Sequence, residues 1–495
     1  MRVLIIQCCF LIAGMANLYA QANDPFHENE IEKLLYFLNQ ESEERGVKNF
    51  QQLGLSSIND VNWWAVPGMT WNIQSGYLER LDWSNRKLSG DLDLSGFIML
   101  TNLNCSFNDI RSVNIKNSSL LQIVDFYQND LFEIDLSTNP NLYYLRLGYN
   151  NIRRIDLSNN PNLGFFCCTK NQVESLDFSN KAKLYEVTCL ENKLHTLRFE
   201  NCTLLEKVVC DQNLITSLNL YNVPKLKTVS CMYNLLKELK LYNCTSLQSL
   251  NCFNNEILKL DVSSCENLTT LDCRNNQLNT LNVKGCKSLT SLVCENNMIS
   301  ELDIKDCPLL TTLTCMNNCF TFLTLPIPSS QFSNYLYSPQ FVTAQCEYNN
   351  IDFSDFYNIN GINSTYFWRY RGLNIFPLKS EEGRFAFNDS YIGESFICWV
   401  MNTTFPQLVV QIDVTLMNEG VGNPLISASN KPVVYASEGT IHVVTDKPVK
   451  ADIYSLQGVL QKQMTVNAGY PQIPVERGIY MVVIDNMTPY KVIVR

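Results

Sequence analysis

The chain has little of what catalysis and nucleic-acid binding usually require. Its 495 residues include three histidines, His27, His195 and His442. None lies in a G-x-S-x-G, H-E-x-x-H or comparable setting. There are 20 cysteines, yet no two are spaced C-x-x-C, so the ligand pairs of common zinc sites are missing. No glycine-rich phosphate loop occurs. Cations are outnumbered, with 38 Lys and Arg against 48 Asp and Glu and a net charge of −10. A nucleic-acid binder carries a basic patch, and none is seen. An anionic membrane surface is an unfavourable partner for the same reason. Beyond the N-terminus no stretch is long and apolar enough to span a bilayer.

The N-terminus reads as a secretory signal over 1–22. Arg2 supplies the positive end and "VLIIQCCFLIAGMA" the apolar stretch. Ala20 and Ala22 make a small-residue cleavage site. The rival is an uncleaved anchor, for which the apolar run falls short of the ~20 residues a span needs. Cys8 and Cys9 leave with the signal and sit too early for a lipoprotein cleavage site.

What the chain does have is a period of 21. Stepping from Leu100 through Leu121 and Leu142 to Leu310 meets leucine eleven times without an insertion. Three residues later comes Leu, Val or Phe, and eight later comes Asn, from Asn108 to Asn318. Ten, thirteen and fifteen later come apolar residues. The consensus is L-x-x-L-x-C-x-x-N-x-L-x-x-L-D-V-S. A fixed period of this length marks a stacked-repeat architecture.

This pattern resembles the leucine-rich-repeat family over 100–325, with a degenerate first turn from Leu78 through Leu81, Trp83, Leu88, Leu92 and Leu94 that is one residue longer. The resemblance implies a coil with one short strand per turn. Parallel strands about 4.8 Å apart would make a rod of roughly 50 Å. One turn cannot bury its own apolar side, so neighbours share one core. The asparagines sit where the chain leaves the strand and are expected to form a buried amide ladder.

Nine cysteines occupy the sixth position of the repeat: Cys105, Cys168, Cys189, Cys210, Cys231, Cys252, Cys273, Cys294 and Cys315. Phe126 and Leu147 replace them in two turns, which marks a core position. Five more, Cys202, Cys244, Cys265, Cys286 and Cys307, form a second column shared with Asn139, Asn160, Lys181 and Val223. Free cysteine behaves as a small hydrophobe. Stacked Cβ atoms near 4.8 Å exceed the usual disulfide separation near 3.8 Å, so free buried thiols are expected. A column of parallel side chains makes no tetrahedral metal cage. Cys167 faces away from the core column, either as an exposed thiol or as one substitution beside Thr188 and Val209.

Residues 23–77 read as a cap. Ile31, Leu34, Leu35 and Leu38 share one face of a helix, and "VNWWAVPGMTWN" follows. The arrangement resembles the N-terminal caps of secreted leucine-rich-repeat proteins, which makes Trp63, Trp64 and Trp71 cap residues. A carbohydrate-stacking role is the alternative. After Pro326 the period stops. Residues 326–420 hold strand-like runs around Trp368 and "SFICWVMN" that resemble an immunoglobulin-like sandwich. A Cys346–Cys398 bond is one reading of that resemblance. Residues 421–495 carry "IYSLQG" and "GIYMVVI", which resemble C-terminal sorting domains of bacterial type IX secretion. The rival there is a small β-sandwich without a sorting role.

Carboxylates give no catalytic pair. Asp135, Asp156 and Asp177 form a column, but Asn114 and Arg198 share it, so an exposed polar stripe explains it better than calcium. The outward strand positions are more informative. Phe107, Tyr127, Tyr144, Arg146, Tyr149 and Phe165 gather on the early turns, and Met232, Tyr233 and Phe253 follow. The face then turns polar with Asp272, Arg274, Asn275, Glu295 and Asn296. Aromatic and arginine side chains are enriched in binding hot spots; tyrosines that merely suit a sheet surface are the structural alternative.

The expected fold is mainly β: a leucine-rich-repeat solenoid over 78–325 with a helical N-terminal cap, an immunoglobulin-like β-sandwich, and a small C-terminal β-sandwich. The plan is similar to internalin-like adhesins. That resemblance implies non-catalytic binding of a protein or glycan by the concave face, without cofactor, metal or nucleic acid. A carbohydrate-handling accessory protein or enzyme and a structural surface spacer are the alternatives.

Overall fold

A computed structural model describes residues 26–59, 61–347 and 350–417. It also describes the segments 425–428, 433–437, 440–444, 449–455, 460–466, 472–475, 478–484 and 490–494. The expected signal, 1–22, lies outside these residues. The chain divides into two compact units. One comprises Met1–Asn276, Leu281–Val293 and Asp303–Thr312; the other comprises Gln277–Thr280, Cys294–Leu302 and Leu313–Arg495.

The first unit opens with the helix Glu28–Leu38. Ile31, Leu34, Phe37 and Leu38 are buried, and Phe37 stacks on Trp83 of the first turn with ring centroids 5.8 Å apart. Trp63 and Trp71 are core residues, whereas Trp64 is largely exposed. The strand Met69–Trp71 pairs antiparallel with Leu78–Asp82. From there the repeat strands pair in parallel, beginning with Leu81 opposite Leu103.

From Asn102–Asn104 on, the repeat strands are three residues long, as in Tyr144–Arg146 and Phe165–Cys167, and paired residues lie 21 positions apart. With side chains alternating, only the middle residue of each strand points inward. Leu103, Val124, Leu145, Phe166 and Val187 are all fully buried. A second set of short strands, such as Ser175–Asp177 and Thr196–Arg198, stacks on the far side of the coil. The asparagines form the expected ladder. Asn150 Nδ2 donates to the carbonyls of Phe126 (2.8 Å) and Leu147 (3.0 Å), and its Oδ1 accepts from Leu131 N–H at 2.9 Å. One side chain thus satisfies backbone groups of two turns that no water could reach.

The cysteines of the described residues are buried thiols that form no disulfide with one another. Thiols of the first column lie 3.5–3.6 Å from carbonyls of the next turn, as Cys189, Cys210 and Cys231 do from Val209, Ser230 and Asn251, and Cys202 and Cys244 of the second column come closer to theirs. The second is a donor column. Ser118 Oγ donates to Leu94 O at 2.7 Å, Asn139 Nδ2 to Ile115 O at 3.1 Å, and Lys181 Nζ to Leu157 O at 2.8 Å. Cys202 Sγ lies 3.0 Å from Phe178 O, and Cys244 Sγ 3.0 Å from Leu220 O. Each side chain reaches the carbonyl 24 residues earlier, so these thiols act as weak donors rather than as filler alone. Burial pushes the Cys244 thiol up to about 12 and the Cys202 thiol to about 11. Cys167 is also buried, with Sγ 3.7 Å from Thr169 Oγ1, so the exposed-thiol reading does not hold.

In the second unit, Asn318 Nδ2 donates to Cys294 O at 2.9 Å and to Cys315 O at 3.1 Å. The ladder then gains a rung past Leu325. Gln340 Oε1 accepts from Asn318 and Phe320 N–H at 3.2 Å each, and its Nε2 donates to Cys315 O at 2.8 Å. Six strands follow in one sheet, in the order Leu373–Ile375, Thr365–Tyr370, Ser395–Met401, Val410–Met417, Gln340–Glu347 and Leu425–Ala428. Gln340–Glu347 runs parallel to Val410–Met417, and the other pairings are antiparallel. Trp368 is buried among Phe353, Phe385, Phe387 and Phe396, with centroids 4.9–6.1 Å away. Cys346 and Cys398 are free thiols. Farther on, Val449–Ser455 pairs antiparallel with Leu460–Val466 and with Gly478–Ile484.

Candidate functional site

The strand positions flanking each buried residue build a side-chain surface on the early turns. Tyr144 and Phe165 are paired residues on adjacent strands, and their rings stack at 4.4 Å with planes 7° apart. Beside them, the rings of Phe107, Tyr127 and Tyr149 run across three turns, with centroids 5.4 and 5.1 Å apart. Arg146 lies over the Tyr127 ring, 3.8 Å from its centroid, and pairs with Asp125 at 3.4 Å. Burial raises the Asp125 carboxyl above its ordinary value, against bonds from Tyr127 N–H and Arg146. The same cause raises the Tyr144 phenol. Phe107 remains 44% and Tyr149 39% exposed. Aromatic pairs at such distances stabilise one another by about 0.5–1.5 kcal/mol beyond their burial. The cluster is therefore set in place before any ligand arrives.

Two residues were not singled out from the sequence. Tyr143, 44% exposed, and the half-buried Tyr185 lie at the second position of the repeat, just ahead of the strand. Tyr185 comes within 6.4 Å of Phe165 and 6.2 Å of Tyr143. The glycine between them in this column, Gly164, is what lets the Tyr143 ring lie flat, since any Cβ there would overlap the ring. A glycine in a repeat column otherwise filled by Thr, Gln, Tyr, Glu or Lys was the available signal.

Met232, Tyr233 and Phe253 form a separate patch, three turns farther along. Tyr233 and Phe253 meet edge-on at 5.0 Å, and Arg274 caps Phe253 at 5.0 Å. Met232 N–H donates to Asp211 Oδ1 at 2.8 Å, and Ser230 Oγ does so at 2.7 Å. Burial raises the Asp211 carboxyl against those two bonds. The early cluster thus brings six of the expected residues together, and the later three stand apart from it.

Charges on this face are internally matched. Besides Arg146–Asp125, ion pairs join Lys170 to Glu191 (3.5 Å), Lys207 to Glu186 (2.8 Å), Lys227 to Glu206 (2.7 Å) and Arg274 to Asp272 (2.9 Å). On the far side, Asp135, Asp156 and Asp177 each accept the N–H two residues on, at 3.0, 2.9 and 2.8 Å. Those bonds hold Asp135 down to about 2, with Lys116 3.0 Å away. Among the described residues no group of three or more His, Cys, Asp or Glu side chains could hold a metal ion. No helix among them is long and apolar enough to cross a membrane.

No protein-family model and no curated protein matches the chain. Solved structures similar to it are leucine-rich-repeat proteins. The functional domain of InlJ from Listeria monocytogenes, which includes a cysteine ladder, is 20% identical. The match covers 68% of this chain and 90% of that one, with a TM-score of 0.36. An internalin, InlF, from the same organism is 21% identical over 61% of this chain and 94% of that one, with a TM-score of 0.41. The ectodomain of the receptor kinase GASSHO1/SCHENGEN3 from Arabidopsis thaliana is 18% identical over 62% and 47%, with a TM-score of 0.44. The chain is a mainly β solenoid with few helices.

Proposed function

We propose that the chain is a non-catalytic binding protein, secreted or held at a cell surface in the manner of an adhesin or receptor, and that it recognises a protein through the strand face of the early turns. The observation that carries this reading is the cluster of Phe107, Tyr127, Tyr143, Tyr144, Tyr149 and Phe165, ordered by its own contacts and yet partly open to solvent. Rigid aromatic surface of this kind gives contact area at low entropic cost. Protein is favoured over glycan because sugars stack on open ring faces. Tyr144 and Phe165 cover one another, and Arg146 covers Tyr127. Cations already paired on this face have little left for a polyanion, which argues against nucleic acid.

Export rests on the signal-like residues 1–22. In the same reading, residues 326–420 serve as an immunoglobulin-like module, supported by the aromatic packing around Trp368 and the antiparallel strands beside it. Residues 421–495 act as a sorting-type β domain, supported by "IYSLQG" and "GIYMVVI". The test is a screen of the chain 23–495 against a panel of purified extracellular proteins and a glycan array, with turnover assays on the same glycans. A saturable protein partner is expected. Binding to glycans alone would move the assignment to a carbohydrate-handling accessory protein, turnover would make it an enzyme, and no binding would leave a spacer.

A further inference from the structure

The eighth residue of each turn, from Phe107 to Asn317, holds the left-handed backbone region with φ between 52° and 58°. That conformation presses Cβ against the following carbonyl, and asparagine tolerates it better than other side chains. The last four turns use asparagine: Asn254, Asn275, Asn296 and Asn317. Wherever the turn is left-handed again ten residues later, the residue is asparagine or glycine, as at Asn117, Asn180, Asn243 and Gly285.

Seven consecutive turns depart from this rule at the eighth position. Phe107, Tyr149 and Tyr233 are bulky rings in a conformation that disfavours them. Gln128 and Gln212 are one methylene longer than the residue that fits. Lys170 and Glu191 complete the set as an ion pair. All seven are exposed or half-exposed, so core packing does not account for them. The asparagines that replace them at 254, 275 and 296 are buried. Backbone conformations held at a cost, on side chains that face solvent, concentrate where ligands bind.

We propose that these seven residues are the specificity row of the strand-face site, and that the occupant is an extended polypeptide segment with apolar and uncharged side chains. This rests on the reading of that face as a binding site. Six intervals of about 4.8 Å make the row roughly 29 Å long, which an extended segment at about 3.3 Å per residue spans with nine residues. On one side each member is followed by a ladder asparagine turned into the coil, such as Asn150 after Tyr149, and on the other the row is flanked by seventh-position side chains such as Tyr127. Its one cation and one anion, on adjacent turns, are paired with each other, so the segment has no charge to neutralise.

The probe is a phage-displayed library of random dodecapeptides panned on the chain 23–495, with selected peptides then synthesised and titrated. Enrichment of peptides rich in apolar residues is expected. Phe107→Asn and Tyr149→Asn should each weaken them by roughly tenfold. Gln128→Asn and Gln212→Asn should raise the thermal midpoint by about 2 °C while weakening binding, and Asn254→Gln should lower the midpoint with binding unchanged. Failure of the glutamine variants to gain stability overturns the conformational argument. Peptides that bind Phe107→Asn and Tyr149→Asn as tightly as the unaltered chain, but not Tyr144→Ala, overturn the row and leave the strand-face reading standing. Indifference to all three variants overturns both. No enrichment overturns the polypeptide occupant.

Discussion

The Tyr127 ring lies over Gly148 of the next turn. A β-carbon at Gly148 would come within 2.9 Å of the ring's Cε2 and 3.3 Å of the Thr169 carbonyl. The aromatic cluster therefore depends on a missing side chain. Gly148→Ala should push Tyr127 off Arg146 and loosen its contact with Tyr149, at a cost to stability of about 1 kcal/mol. Capture of a strand-face ligand should fall several-fold. Unchanged capture by the folded variant would show that Tyr127 is not part of the contact surface.

The asparagine ladder makes a stability prediction independent of any ligand. Asn213 Nδ2 donates to the carbonyls of Cys189 and Cys210, and its Oδ1 accepts from Leu194 N–H. Asn213→Ala strands all three groups in the core. The expected loss is about 2–4 kcal/mol, read from the denaturation midpoint. A loss below about 1 kcal/mol would mean the ladder is dispensable.

The thiols of the described residues, 18 in all, are buried and form no disulfide with one another. Burial raises thiols such as Cys202 and Cys244 away from the reactive thiolate, and enclosure in the coil keeps reagents from the column, which slows modification. The unreduced chain 23–495 should give well under one equivalent with a thiol reagent at pH 8. In denaturant it should give all 18. A shortfall in denaturant would reveal disulfides.

Glu30 is buried in the cap, where its carboxylate accepts from Leu78 N–H at 2.8 Å. Burial pushes it from its ordinary 4.5 to about 7. A carboxyl raised in the folded state binds a proton more readily folded than unfolded, so stability falls as pH rises from 4.5 to about 7. Glu30→Gln keeps the acceptor and removes the charge. It should raise the thermal midpoint at pH 8 and flatten that pH dependence. A midpoint at pH 8 no higher than that of the unaltered chain would contradict this.

The period of 21 made most of the coil legible, because one asparagine and five apolar positions recur without a slip from Leu100 to Asn318. The buried ladder and free thiols follow from that regularity. The donor role of the second cysteine column was visible only in its company: Ser118, Asn139, Asn160 and Lys181 all carry hydrogen on a polar atom. The backbone at Phe107 and Tyr149 was not legible, since an aromatic residue is the last expected at positive φ. Gln340 escaped because its rung comes from outside the repeat register. The pairing of Gln340–Glu347 with Val410–Met417 joins strands about seventy residues apart, which no local pattern encodes. Tyr143 and Tyr185 were missed because they come at the second position of the turn, ahead of the strand, whereas the residues read as outward lie on the strand or just after it.

The central claim is that the early aromatic cluster is a binding surface and not merely a well-packed sheet. The most direct measurement compares the chain 23–495 with its Tyr144→Ala, Tyr149→Ala double variant, by surface capture of the extracellular protein panel and by thermal unfolding of both. Loss of a saturable partner by roughly a hundredfold or more, with the midpoint shifted only a few degrees, is the predicted result. Equal capture by the two chains would contradict it.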